Sequence, residues 1–173
     1  YAVTVMPQPG YVATGSPEDP LTGSPGETLR WELGYRRRPA TATEQYQDWA
    51  RSVRLPDTAV EPGDDADADG ASNLVEFFTG TNPLNASDHS GLHGVVRSAA
   101  GGIEVGIQVR RANGVAAVRV RLERSRDLSR WEAVSAREEL RDPGPDAEQV
   151  VFWDPDAIDG SAAYFLRLRL ELD

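Results

Sequence analysis

The stretch DADADGASNLVE, residues 65–76, contains the side chains of this chain whose spacing most clearly suggests chemistry. Its distinctive members are Asp65, Asp67, Asp69, Gly70 and Glu76. Packing alone does not require carboxylates at every second position, because like charges at such short separations repel one another. The pattern therefore predicts that a cation binds among these side chains.

The same stretch satisfies the calcium-loop pattern D-x-[DN]-x-[DN]-G-x5-E in full. Calcium takes six to eight oxygen ligands in a flexible geometry, whereas magnesium prefers strict octahedral geometry and keeps its waters, so it fits less well. The predicted ligands are the carboxylates of Asp65, Asp67 and Asp69, the carbonyl of Ala71, the side chain of Asn73 directly or through a water, and both oxygens of Glu76. Gly70 is predicted to make the sharp turn, where a Cβ would obstruct the fold-back.

Two short helices are predicted on either side of this loop. Thr41 and Glu44 form a capping-box pattern, and Tyr46, Trp49, Ala50 and Val53 then share one helical face before Pro56. After the loop, Leu74, Phe77 and Phe78 form a second apolar face that Gly80 and Pro83 end. We expect these aromatic side chains to pack between the two helices.

Beyond Gly94 the apolar residues recur at every second position, which is typical of strands. The clearest examples are GIEVGIQV, AAVRVRLE, QVVFW and YFLRLRLEL, separated by the turn signals ANG, RDPGPD and PDAIDG. We therefore expect a mainly β fold, with an antiparallel β-sandwich, a small two-helix calcium-loop module and an N-terminal β segment. The expected divisions are residues 1–40 (β segment and Pro/Gly-rich loop), 41–90 (calcium-loop module) and 91–173 (sandwich).

Composition excludes several classes of protein. The net charge of −10 argues against nucleic acid as a partner, which requires a basic surface. The absence of cysteine excludes disulfides, thiolate metal sites and cysteine nucleophiles. No apolar run is long enough to span a membrane, and no nucleophile, base and orienting group form a recognisable catalytic pattern, so an enzyme is not expected.

Residues 65–88, DADADGASNLVEFFTGTNPLNASD, resemble the bacterial thrombospondin type 3 repeat, whose loop is followed by G-T-[DN]-P. Residues from about Thr43 onward also resemble, more loosely, the C-terminal regions of large secreted bacterial proteins. In those regions an aromatic helix precedes one such loop, and a β-rich segment with an E-x-S-x-D-L-x-x-W pattern follows, here ERSRDLSRW from Glu123. The resemblance implies a calcium-stabilised module that is secreted, periplasmic or on the cell surface.

The leading hypothesis is a non-catalytic structural or assembly module whose partners are calcium and another protein subunit or neighbouring domain. The alternative is a carbohydrate-binding accessory domain, with Trp131 and Trp153 as a sugar-stacking platform, although core or edge packing explains both tryptophans more simply. His89 and His93 have a spacing that could bind zinc on a helix, but their flanking glycines predict a loop.

Overall fold

The computed structural model describes residues 11–13, 35–38, 40–89, 91–115, 117–156, 158 and 163–172. The chain divides into two compact units, residues 1–40 and 41–173. In the first unit, β1 (Tyr11–Ala13) pairs antiparallel with β2 (Tyr35–Arg37). The Pro/Gly-rich loop predicted within residues 1–40 is wrong at Tyr11–Ala13, because pairing with β2 makes these residues a strand despite the prolines and glycines around them. The sequence also predicts strands at YAVTV, residues 1–5, which lie outside the described residues, and at TLRWELGY, residues 28–35, of which only Tyr35 is described, as the first residue of β2.

The second unit begins with the two expected helices. Helix α1 (Ala42–Val53) starts with a complete capping box: the Thr41 hydroxyl accepts the Glu44 N–H at 3.2 Å, and the Glu44 carboxylate accepts the Thr41 N–H at 2.9 Å. A short 3-10 helix (Asp57–Ala59) follows. Helix α2 (Asn73–Thr79) then ends at Gly80, which has the left-handed conformation common at helix C-termini.

Seven strands complete this unit, and all their pairings are antiparallel. They are β3 (His93–Ala99), β4 (Gly102–Ala112), β5 (Arg119–Ser125), β6 (Glu132–Val134), β7 (Arg137–Pro143), β8 (Ala147–Trp153) and β9 (Phe165–Glu171). One sheet has the order β3-β4-β8-β7, and the other has the order β6-β5-β9. The described chain is therefore mainly β, and this unit contains two antiparallel sheets, of four and three strands, in addition to the β1–β2 pair of the first unit.

One hydrophobic core joins the helices and both sheets. From the four-stranded sheet, Val109 and Val150 lie opposite each other and are buried. From the three-stranded sheet, Leu168 and Leu170 pack against the same cluster, as the alternation in β9 predicts. The helices contribute aromatic rings, of which Phe78 is 1% exposed.

The expected packing between the helices is confirmed by three neighbouring rings. Tyr46 and Phe77 meet edge-to-face with centroids 5.7 Å apart, and the Trp49 ring lies 5.4 Å from that of Phe77. Such contacts stabilise a pair of rings beyond the effect of burial alone. Helix α2 is thus held in place from the α1 side.

Candidate metal centre

Backbone hydrogen bonds close the acidic loop at its base. The Asn73 N–H donates to the Asp64 carbonyl at 2.7 Å, and the Leu74 N–H donates to the Pro62 carbonyl at 2.9 Å. The start of α2 is thereby paired with the segment that precedes the loop. Because these bonds hold both arms, the loop has a fixed base although no long helix enters it.

The Asn73 side chain strengthens this closure. Its Nδ2 donates to the carbonyls of Ala59 (2.9 Å) and Glu61 (3.0 Å), and the residue has no exposed surface. Its Oδ1 is buried and lacks a hydrogen-bond partner. The Asn73 amide therefore connects the 3-10 helix to α2, while its oxygen remains able to accept a hydrogen bond or to bind a cation.

Within the loop, the three aspartates converge. One carboxylate oxygen from each of Asp65, Asp67 and Asp69 lies within 4.8 Å of the others. Two ligands on opposite sides of a calcium ion are separated by about 4.6–5.2 Å, twice the usual calcium–oxygen distance. The cluster therefore has the dimensions of a cation site, and it could hold a metal ion.

Backbone N–H groups of the loop donate hydrogen bonds to these carboxylates. Asp65 accepts the N–H groups of Asp69 at 3.2 Å and Gly70 at 2.9 Å, and Asp69 accepts the Ala71 N–H at 2.7 Å. Gly70 has φ +95°, a conformation that residues with a Cβ rarely adopt. A Cβ built there would meet nothing within 4 Å, so the expected obstruction is wrong and the backbone conformation alone favours glycine.

Glu76 brings a buried carboxylate from α2 to the loop. The residue has no exposed surface; its Oε1 accepts the Thr81 hydroxyl at 3.5 Å, and its Oε2 has no partner. Burial, and then the negative charges of Asp67 and Asp69, raises the pKa of Glu76 to about 7. A carboxylate in this position is costly to ionise unless a cation accompanies it.

Unpartnered buried oxygens coincide with the predicted ligands. In the described part of the chain, four buried side-chain polar atoms lack a hydrogen-bond partner: Gln45 Oε1, Asp67 Oδ2, Asn73 Oδ1 and Glu76 Oε2. Three of the four belong to the third, ninth and twelfth positions of the calcium-loop pattern. Buried polar atoms in folded proteins nearly always have a protein, water or ion partner, so these three oxygens are available to accept a hydrogen bond or to bind a cation. Oxygen donors of this kind suit a hard cation such as calcium.

His89 is a neighbour that the sequence pattern did not reveal. Its Nδ1 lies 3.5 Å from Asp69 Oδ2, and its side chain is 72% exposed while that of Asp69 is 3% exposed. The two residues are far apart in the sequence, so only the fold brings them together. His93, by contrast, opens β3 opposite Gln108. The predicted loop was therefore wrong for His93, because pairing with β4 extends the strand to it.

Helix α2 connects the loop to the four-stranded sheet. Arg110 on β4 donates from Nη1 to the Thr79 carbonyl at 2.6 Å and to the Gly80 carbonyl at 2.9 Å. These carbonyls are among those that a helix C-terminus leaves without partners. Gly80 has φ +70°, and a Cβ there would lie 3.0 Å from the Ala112 Cβ, so glycine permits this close approach.

The two tryptophans considered as a sugar platform are engaged by other side chains. Trp153 is 1% exposed, its indole N–H donates to Glu139 at 2.9 Å, and the Arg97 guanidinium lies 4.2 Å from its ring centroid. Trp131 donates to the Leu128 carbonyl at 3.2 Å, and Arg167 lies 4.0 Å from its ring. Trp153 therefore offers no ring face to a sugar.

The E-x-S-x-D-L-x-x-W pattern builds the turn between β5 and β6. The Ser125 hydroxyl accepts the Leu128 N–H at 2.9 Å, and Asp127 accepts the N–H groups of Ser129 and Arg130, both at 2.9 Å. The bonds from Arg130 and Ser129 lower the pKa of Asp127 to about 2. This part of the pattern thus specifies a turn with an ionised aspartate.

The chain matches no known protein family model, no curated protein sequence and no solved structure. Among the described residues, no helix is both long and apolar enough to cross a membrane.

Proposed function

We propose that this chain is a non-catalytic structural or assembly module, stabilised by one calcium ion bound in the acidic loop. The observation that carries the proposal is the set of buried, unpartnered oxygens on Asp67, Asn73 and Glu76. Asp67 belongs to an aspartate cluster of the right dimensions for a cation, and the negative charges of that cluster act on Glu76.

Calcium would be held by Asp65, Asp67 and Asp69, the Ala71 carbonyl, Asn73 and Glu76. Its two positive charges would offset part of the negative charge of the four carboxylates, and the ion would satisfy the oxygens that lack hydrogen bonds. A ligand that binds only the folded state stabilises it by about 2.7 kcal/mol when its concentration is a hundred times Kd. At the millimolar calcium levels typical outside cells, a modest affinity suffices to fill such a site.

Stabilisation at the loop would extend to the sheet through α2. Glu76 lies on this helix, and the carbonyls at the helix end receive hydrogen bonds from Arg110 on β4. The ring contacts of Phe77 link the same helix to α1. Bound calcium would therefore brace the junction between the helical module and the two sheets, which we interpret as a β-sandwich.

The resemblance to thrombospondin type 3 repeats and to the C-terminal regions of secreted bacterial proteins supports a secreted, periplasmic or cell-surface location. It also supports another subunit or a neighbouring domain as the partner. The sequence offers no catalytic pattern, which favours a structural role. We do not propose the Trp131–Trp153 sugar platform, since Trp153 is buried beneath Arg97.

Titration calorimetry of the metal-depleted full chain with calcium tests the proposal. We expect one site, weaker binding of magnesium, and loss of binding in Asp67→Asn. Asp48→Asn is the control, because Asp48 lies on the exposed side of α1 and pairs only with Arg51 among the described residues. Hydrogen exchange should slow on calcium addition at residues 73–79 and in β4. Absence of calcium binding, or equal loss in both variants, would contradict the proposal.

A further inference from the structure

A small polar cavity lies beside the turn between β5 and β6. Its volume is about 210 Å³, below the roughly 300 Å³ at which drug-sized sites begin, so it suits a single small group such as one sugar ring. All its lining residues are polar or charged: Arg124, Ser125, Arg126, Asp127, Arg130 and Glu132. These side chains offer hydrogen-bonding groups together with the methylene groups of the arginines, a combination that suits a sugar ring.

Two of the lining arginines have no carboxylate partner. Arg124 is engaged, since its Nη1 lies 2.6 Å from Asp156. Within the described ranges, neither Arg126 nor Arg130 forms an ion pair, although Arg126 lies 5.8 Å from the ring centroid of Tyr164. Both side chains lie at the surface, where their guanidinium groups can donate charge-assisted hydrogen bonds to an anion.

The two acidic lining residues, Asp127 and Glu132, each keep an oxygen that can accept further hydrogen bonds. Asp127 turns one oxygen towards the N–H groups of Ser129 and Arg130, and Glu132 lies 3.6 Å from the Arg124 Nε with a side chain that is 74% exposed. Their remaining oxygens can accept hydrogen bonds from hydroxyl groups. The cavity thus combines donors for a carboxylate with acceptors for hydroxyls.

We propose that this cavity binds one ring of an acidic saccharide, with the sugar carboxylate on Arg126 and Arg130 and its hydroxyls on Asp127 and Glu132. A guanidinium group matches a carboxylate in shape and in hydrogen-bonding geometry. An acidic peptide is the less suitable ligand, because its side chains offer carboxylates to the arginines but no hydroxyl groups to Asp127 and Glu132. The site is separate from the acidic loop, and this inference does not rest on calcium binding.

An NMR titration of the full chain with trigalacturonic acid tests this assignment, with its fully methyl-esterified form as the neutral control. Calcium is kept in excess over the saccharide, and the titration is repeated with Glu76→Gln in calcium-free buffer so that metal binding and sugar binding are separated. We expect saturable shifts at residues 124–132 and at the Nε–H signals of Arg126 and Arg130. The ester should bind at least roughly tenfold more weakly, because it lacks the charge-assisted hydrogen bonds.

The double variant R126Q/R130Q should also weaken binding by roughly tenfold or more. R51Q/R54Q removes the same charge from the exposed end of α1 and should leave the affinity within about twofold. Thermal unfolding checks that both variants fold. The inference is overturned by equal binding of the ester, by equal loss in both double variants, by no shifts at millimolar saccharide, or by tighter binding of a glutamate-rich peptide.

Discussion

Replacing Glu76 with glutamine removes one charge from the acidic loop and leaves the shape of the side chain nearly unchanged. In the metal-free folded chain, the pKa of Glu76 is raised from 4.5 to about 7. Each unit by which a pKa is shifted corresponds to about 1.4 kcal/mol, so ionised Glu76 costs the folded state roughly 3 kcal/mol at pH 8. Glutamine does not ionise and avoids this cost.

Without calcium at pH 8, we therefore expect Glu76→Gln to be more stable than the native chain. A difference of roughly 3 kcal/mol corresponds to a Tm higher by roughly 8–12 °C for a folded unit of this size. With calcium at a hundred times Kd, the native chain should gain about 2.7 kcal/mol and the variant should gain almost nothing. Added calcium should thus remove most or all of the difference.

Thermal unfolding followed by circular dichroism measures all four combinations of chain and calcium. Glu132→Gln is the matched control, since its side chain is 74% exposed and it should respond to calcium as the native chain does. The reasoning is refuted if Glu76→Gln is less stable than the native chain in chelator at pH 8. A calcium-induced rise in the Tm of the variant equal to that of the native chain would show that Glu76 is not a ligand.

Further predictions concern pH, the loop base and the helix end. The pKa of Glu76 is raised in the folded chain, so its contribution to metal-free stability is present below pH 4.5 and is lost as the pH rises through about 7. We therefore expect the Tm of the native chain to fall relative to that of Glu76→Gln when both are measured from pH 4.5 to 8.5. Asn73→Ala leaves two backbone carbonyls without their donor and should cost about 2–3 kcal/mol in urea unfolding, with weaker calcium binding by calorimetry. Gly80→Ala places a Cβ at φ +70° against β4 and should cost about 1–3 kcal/mol in the same assay, whereas Gly63→Ala, which meets nothing within 4 Å, should be nearly neutral. Arg110→Met removes the charged donor at the end of α2 and should cost about 1.5–3 kcal/mol; unchanged unfolding would show that these bonds do not hold the helix to the sheet.

The sequence predicts those helix ends and strands that are determined by residues close by in the chain. The capping box at Thr41 specifies the start of α1, and Gly80 specifies the end of α2. Strands β4 and β9 follow from alternation, because one face of each strand meets the core. In β7, by contrast, Leu140 is the only large apolar residue and is 51% exposed, so its strand conformation depends on pairing with β8. No pattern within β7 itself could predict that pairing.

The candidate site shows the same division between local and tertiary causes. The spacing of the carboxylates identifies donor types, but it does not distinguish an exposed acidic turn from a metal centre. Glu76 is buried because α2 packs against the aromatic cluster and is held at its end by Arg110, both distant in sequence. That burial raises the pKa of Glu76 and removes water from its Oε2. Affinity for a cation at this loop should therefore depend on the packing of α2 as well as on the ligands. A substitution such as Arg110→Met, which touches no predicted ligand, should consequently weaken calcium binding together with stability.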